Sequence, residues 1–209
     1  MPYYPELNLI FIHIPKPAGG AIEELLRPYR APGNKTPLRR FLRYLPVRQD
    51  PMRAYIPGHS TTAWHRRTLG ADTYGNATSF AVVRNSYERL VSEYENVRQN
   101  PKHHRHEKAR RLDFNSYLRS NTRRLSQMSF IEAPDGSGVM VDRIIRFEAL
   151  HDDLNGLLSE VRANVALPTG GRLNSSEKKP LDHYLTEENV QIINRACASD
   201  FHSLGYSML

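Results

Sequence analysis

The chain is poor in the features that staple a small secreted domain or anchor a protein in a bilayer. It has a single cysteine, Cys197, so no disulfide can close within it and nothing asks for an oxidising compartment. That predicts a protein of the reducing cytoplasm. Its apolar runs are short, and the run Leu9 to Ile14 falls far below the length of a signal-segment core or a membrane span. No membrane span is expected. Trp64 is the only tryptophan, and it can either flank a flat ligand ring or simply pack. The string GxxxxGK[ST] is missing, which excludes an ordinary Walker A loop and the magnesium-binding hydroxyl that goes with it.

What is plentiful is positive charge and chain length. Lys and Arg number 29 against 22 Asp and Glu, a net charge of +7. This favours anionic partners such as nucleotides, acidic sugars, nucleic acids or lipid headgroups without choosing among them. A chain of 209 residues can bury enough apolar surface to fold as one domain without metal or disulfides.

The segment Leu7 to Ile14, LNLIFIHI, is nearly continuously apolar and β-rich, the pattern of a strand buried on both faces of a parallel sheet. Pro15 and Gly19-Gly20 end it, and Ala21 to Leu26 has helix-forming character up to Pro28. Residues 30 to 60 carry five prolines, which predicts an irregular connection with one short helix near Leu38 to Leu45. A second strand, Ser79 to Val83, runs straight into an amphipathic helical pattern through Leu90, Val91, Tyr94 and Val97. Arg98 to Arg124 holds nine Lys/Arg and three His against two acidic residues, and reads as an exposed helix or loop. Val141 to Phe147 reads as a third strand followed by a helix over Glu148 to Val161, and Thr186 to Leu204 as one terminal helix with Thr186 as its N-cap. Strands alternating with helices predict an α/β fold with a mainly parallel central sheet flanked by helices. Ligands in such sheets bind at the carboxyl ends of the strands.

Both strand-to-helix junctions carry chemistry suited to phosphate. After the first strand come Lys16 and two glycines; backbone amides in such a turn can hold an anion while the lysine adds a point charge. The same residues also fit a tight turn with a surface lysine. After the second strand comes Arg84, whose planar fork suits a phosphate dianion, although a salt bridge to Glu88 or Glu95 is the plain structural use for it.

The segment FIHIPKPAGGAIE (Phe11 to Glu23), followed by FAVVRNSYERLVSEY (Phe80 to Tyr94), resembles the two donor-binding segments of the PAPS-dependent sulfotransferase family that includes heparan sulfate 2-O-sulfotransferase and bacterial relatives. PAPS is 3′-phosphoadenosine 5′-phosphosulfate. In that family the segments read approximately HIPKTGGTSI and VRNPYERLVSxY. The likeness extends to Ile145-Arg-Phe-Glu-Ala-Leu150, to Leu173-Asn-Ser-Ser176 and to Asp200-Phe-His-Ser-Leu-Gly-Tyr206. The resemblance implies a P-loop-like fold in which Lys16 and the backbone of Pro17, Ala18, Gly19, Gly20 and Ala21 hold the 5′-phosphosulfate, and Arg84 and Ser92 the 3′-phosphate. It also implies that Asn174, Ser175 and Ser176 lie in a late loop over the nucleotide, and that no metal is needed. The departures fall at the chemistry. Pro17 stands for the usual Thr and Gly20-Ala21 for the usual Thr-Ser, which removes an amide and two hydroxyls near the 5′-phosphate; a hydrogen bond to a charged group contributes roughly 1.5–3 kcal/mol.

Sulfuryl transfer needs in-line geometry, stabilisation of the leaving group and a base for the acceptor hydroxyl. Lys16 suits the second task. His59, in Tyr55-Ile-Pro-Gly-His-Ser, is the candidate base, because 2-O-sulfotransferases carry a catalytic histidine in a similar Gly-His context; His65 and Glu23 are reserves. The expected partner is a hydroxylated acceptor, with an acidic glycan as one class, and no specific nucleic acid. Two other readings stay open. One is a kinase or NTPase with a degenerate phosphate loop, for which Asp142 is the nearest magnesium ligand. The other is a non-catalytic relative that binds polyanions through residues 98 to 124.

Overall fold

The computed structural model describes residues 3–32, 36–42, 45, 47–121, 125–169 and 177–209. In chain order the strands and α-helices are β1 (Tyr3–Tyr4), β2 (Leu9–Ile12), α1 (Gly19–Leu25), α2 (Pro37–Leu42), α3 (Thr62–Leu69), α4 (Ala71–Asn76), β3 (Thr78–Val83), α5 (Ser86–Gln99), α6 (His106–Arg111), α7 (Phe114–Ser120), α8 (Met128–Ile131), β4 (Arg143–Arg146), α9 (Leu150–Glu160), α10 (Glu187–Ala196) and α11 (Ala198–Leu204). The chain divides into two compact units, the first comprising Met1–Val83 and Phe130–Gly171, the second Arg84–Ser129 and Arg172–Leu209.

The first unit contains a mixed four-stranded sheet in the order β1-β2-β3-β4. β2, β3 and β4 run parallel, with Ile12 opposite Ala81 and Val83 opposite Arg146, while β1 pairs antiparallel with β2. The apolar run of the sequence becomes β2, every residue of which is buried, as a strand covered on both faces must be. β4 is shorter than expected and mostly exposed. Its start is pinned to β3 by Asp142, whose carboxylate accepts from the Ser79 amide at 2.7 Å and the Ser79 hydroxyl at 2.6 Å. The helix after β4 begins at Leu150, behind a short 3-10 turn over Phe147–Ala149.

Among the described residues, 30 to 60 hold one short helix, α2, and α3 and α4 follow before β3. Thr61 caps α3 by accepting from the Trp64 amide. Gly70 joins α3 to α4 at φ 90°, where a Cβ would also lie 2.8 Å from Arg48 Nε, so only glycine fits that turn without strain.

In the second unit α5 is the spine. Leu90, Val91, Tyr94 and Val97 pack with Ala109, Phe114, Tyr117, Leu118, Ile193 and Phe201. The basic stretch is therefore not simply an exposed face: Phe114, Tyr117 and Leu118 fall on one side of α7 and anchor it. Arg105 donates to Glu93 at 2.9 Å, and His106 is buried with Nδ1 donating to the Val97 carbonyl at 3.1 Å. The terminal helix is two helices, broken at Cys197 (φ −114°, ψ 21°), although Thr186 does cap the first.

Asp200, fully buried, gathers four donors: the Ser86 and Ser126 hydroxyls and the amides of Gln127 and Met128, at 2.6–2.9 Å. No helix among the described residues is long and apolar enough to cross a membrane.

Candidate functional site

The carboxyl end of β2 is where the first unit concentrates polar chemistry. Immediately after the strand, the Ile14 amide donates to the Ile12 carbonyl at 3.1 Å, a three-residue turn around His13 of the kind that closes strands. A second tight turn follows, in which the Ala18 amide donates to the Lys16 carbonyl at 2.7 Å. Lys16 (φ 86°) and Ala18 (φ 52°) both take left-handed conformations that side-chain-bearing residues rarely adopt, at a cost on the order of 1–2 kcal/mol each. Such strain clusters at functional turns.

The turn narrows which amides can serve an anion. Pro17 has none, and Ala18 spends its own on Lys16. The first intrahelical bond of α1 runs from the Ile22 amide to the Ala18 carbonyl, so the amides of Gly19, Gly20 and Ala21 precede the helix's own ladder. Pro17, Ala18 and Gly19 are buried and Gly20 is exposed.

His59 lies at this same strand end. Its Nδ1 is 3.0 Å from the carbonyl oxygen of His13. A carbonyl can only accept, so Nδ1 carries the proton and, in the neutral ring, the lone pair sits on Nε2. That is the base form of an exposed imidazole, held by the carbonyl of His13, which stands three residues before Lys16 in the chain. Folding sets His59 against His13, 46 positions away in the chain.

The reserve bases fare differently. Glu23, on α1, accepts from His13 Nδ1 at 2.9 Å, and chiefly that hydrogen bond holds its carboxyl down at about 2; so acidic a group is a poor proton acceptor at neutral pH. His65 is buried at 1% exposure, and burial pushes its imidazole down to about 4. Its Nδ1 donates to the Thr61 carbonyl at 2.8 Å, and Nε2 meets no partner among the described residues. The ring is neutral and shielded. Trp64, one residue before it, is half-buried on the same helix.

In the second unit, Arg84 precedes α5 by two residues. Its backbone is clamped from both sides by Gln127: the Arg84 amide donates to Gln127 Oε1 at 2.9 Å, and Gln127 Nε2 donates to the Arg84 carbonyl at 2.7 Å. Gln127 in turn donates its amide to Asp200, so a buried polar chain fixes the arginine. The guanidinium donates to Glu88 through Nε at 3.0 Å and through Nη2. Lys178 lies within reach of the same charges: partial burial and then the Arg84 guanidinium hold its ammonium below the usual lysine range, with Glu88 pulling the other way. A cavity of about 200 Å³ beside it is lined by Glu88, Val91, Lys178, Lys179 and Leu181. Ser92, on α5, is buried at 7% exposure. Asn174, Ser175 and Ser176 lie outside the described residues.

Sequence reasoning passed over His13 and Gln127. His13 carries a signal, standing between a buried strand and a Pro-Lys turn; Gln127 carries none, since its role depends on the approach of distant segments. Asp142, the nearest magnesium ligand for an NTPase, is engaged by Ser79. Among the described residues no group of three or more His, Cys, Asp and Glu could hold a metal.

No protein-family model matches this chain, and no curated protein and no solved structure does either. The α/β fold with its mixed sheet is established by its own geometry.

Proposed function

We propose that the chain transfers a sulfuryl group from PAPS to a hydroxyl of an acceptor, a carbohydrate by class. The observation that carries this reading is the junction after β2, where His59, in the tautomer with its lone pair on Nε2, hydrogen-bonds to His13 beside the Lys16 turn. In this reading Lys16 and the amides of Gly19, Gly20 and Ala21 hold the 5′-phosphosulfate. Arg84, supported by Lys178, takes the 3′-phosphate together with Ser92, and the phosphate displaces Glu88 from the guanidinium. Asn174, Ser175 and Ser176 contribute polar groups over the nucleotide.

The chemistry balances with these groups alone. The acceptor oxygen attacks sulfur in line, its proton passes to His59 Nε2, and the bond between sulfur and the bridging oxygen breaks. The electron pair leaves on the 5′-phosphate of PAP, the desulfated product, where the Lys16 ammonium stabilises the new charge. Loss of the usual hydroxyls at Gly20 and Ala21 weakens the hold on the donor.

Less favours the kinase reading, since Asp142 stands before β4 and not after a strand, with one carboxylate oxygen held by Ser79, and less favours the polyanion reading, since His106 is buried and Arg105 is paired with Glu93. The test is His59→Ala: turnover should fall about 10²- to 10⁴-fold with PAP affinity retained. Unchanged turnover removes His59 from the mechanism.

A further inference from the structure

The ring of His13 is held on every side. It stacks on Phe11 with centroids 5.4 Å apart and planes 19° from parallel. It lies so close over Gly19 that a Cβ there would fall 1.9 Å from its Nε2. Its Nδ1 is 2.9 Å from Glu23 Oε1; an ionised carboxylate can only accept, so this nitrogen is the donor. The third ring in the cluster, His59, meets His13 edge to face, with centroids 4.4 Å apart and planes at 70°. His59 itself sits at φ 59°, a left-handed conformation that persists when surrounding contacts over-determine it.

These contacts form a chain: Glu23 fixes the His13 ring, and His13 contributes both a ring contact and a carbonyl oxygen to His59. The His13 ring packs directly against the His59 ring while the His13 carbonyl accepts from it, so a His13 ring freed from Glu23 no longer confines His59 beside that carbonyl. We propose that Glu23 and His13 are positioning residues for His59, holding its ring in the Nδ1–H tautomer with the lone pair on Nε2 directed to the acceptor's proton. The arrangement has the logic of an acid, an orienter and a base in series, with a backbone carbonyl as the orienting acceptor. It deepens the transferase reading and rests on it in that His59 is taken there as the base.

The experiment is nitrogen-15 NMR of the histidine rings in the free protein above the titration range of imidazole, with His59 assigned through His59→Gln. In the wild type, His59 should show a protonated-type Nδ1 and a lone-pair-type Nε2. In Glu23→Ala both nitrogens should move towards averaged values as the tautomers mix, whereas Glu23→Gln, whose amide oxygen can still accept from His13 Nδ1, should keep the wild-type pattern. His13→Phe keeps the stacked ring and removes the bond to Glu23, and should reproduce the alanine result if that variant does not fold. A wild-type His59 in the Nε2–H form overturns the proposal, as do His59 nitrogens that stay unchanged in both Glu23→Ala and His13→Phe. Since the measurement uses neither donor nor acceptor, its failure is separate from a failure to bind PAP.

Discussion

Two adjacent glycines at the start of α1 should respond in opposite directions to the same substitution. A Cβ on Gly19 would lie 1.9 Å from His13 Nε2 and 2.2 Å from its Cδ2, whereas one on Gly20 meets nothing within 4 Å. Contacting heavy atoms settle at roughly 3.5–4 Å, so Gly19→Ala must push the His13 ring aside. That costs about 1–3 kcal/mol as overpacking and about 1.5–3 kcal/mol more if the charge-assisted bond to Glu23 is lost, against a helical gain of about 0.5–1 kcal/mol for replacing glycine. The net is a loss on the order of 2–4 kcal/mol, or a fall in Tm of about 5–15 °C for a chain of this length. Gly20→Ala keeps only the helical gain and should raise Tm by about 1–4 °C. Calorimetry at pH 7 measures both.

The acid limb gives a second readout of the same event. The Glu23 carboxyl is lowered from 4.5 to about 2 in the folded chain, so its contribution is fully present above about pH 4.5 and is lost as pH falls through about 2. With His13 displaced, the carboxyl returns towards its ordinary range. The stability gap between wild type and Gly19→Ala should therefore narrow between pH 4.5 and 2. Equal Tm values for the two alanine variants would refute the placement of His13 over Gly19, and with it the geometry of the site.

Asp200→Ala strips four donors of a buried acceptor; urea unfolding should show a loss of about 3–5 kcal/mol, the scale of removing one partner from a buried charged network. Cys197 is buried, and burial first, then the nearby Asp200 charge, pushes its thiol up to about 12. An aromatic disulfide reagent should thus leave the native chain unlabelled at pH 8 and label it only as it unfolds.

The elements legible in the sequence are those with a local signature. LNLIFIHI and SFAVV announce buried parallel strands because unbroken apolar runs have few other homes, and Thr186 announces a helix start through its own side chain. The two-residue strand Tyr3–Tyr4 is too short to leave a pattern. The basic stretch 98 to 124 hides its anchors, since Phe114, Tyr117 and Leu118 are diluted by charge, and the break at Cys197 has no proline or glycine to mark it.

Lys16, His59 and Arg84 stand out by residue type and context. What their neighbours do is non-local. Glu23 reaches His13 only because α1 turns back towards the end of β2, and Gln127 clamps Arg84 only because Asp200 holds it from 73 residues away. The pairing of Arg84 with Glu88, by contrast, spans one helical turn and is legible in the sequence as one of two salt bridges, to Glu88 or Glu95, open to that arginine.

Thermal unfolding with PAP, using magnesium-ATP as the control, tests for a PAPS site without knowledge of the acceptor. At about one hundred times Kd, a ligand of the native state adds roughly 2.7 kcal/mol, a rise in Tm on the order of 5–10 °C. A PAPS site gives that rise with PAP, its loss in Arg84→Ala, and no comparable rise with magnesium-ATP. No shift with PAP, or a shift only with magnesium-ATP, would contradict it.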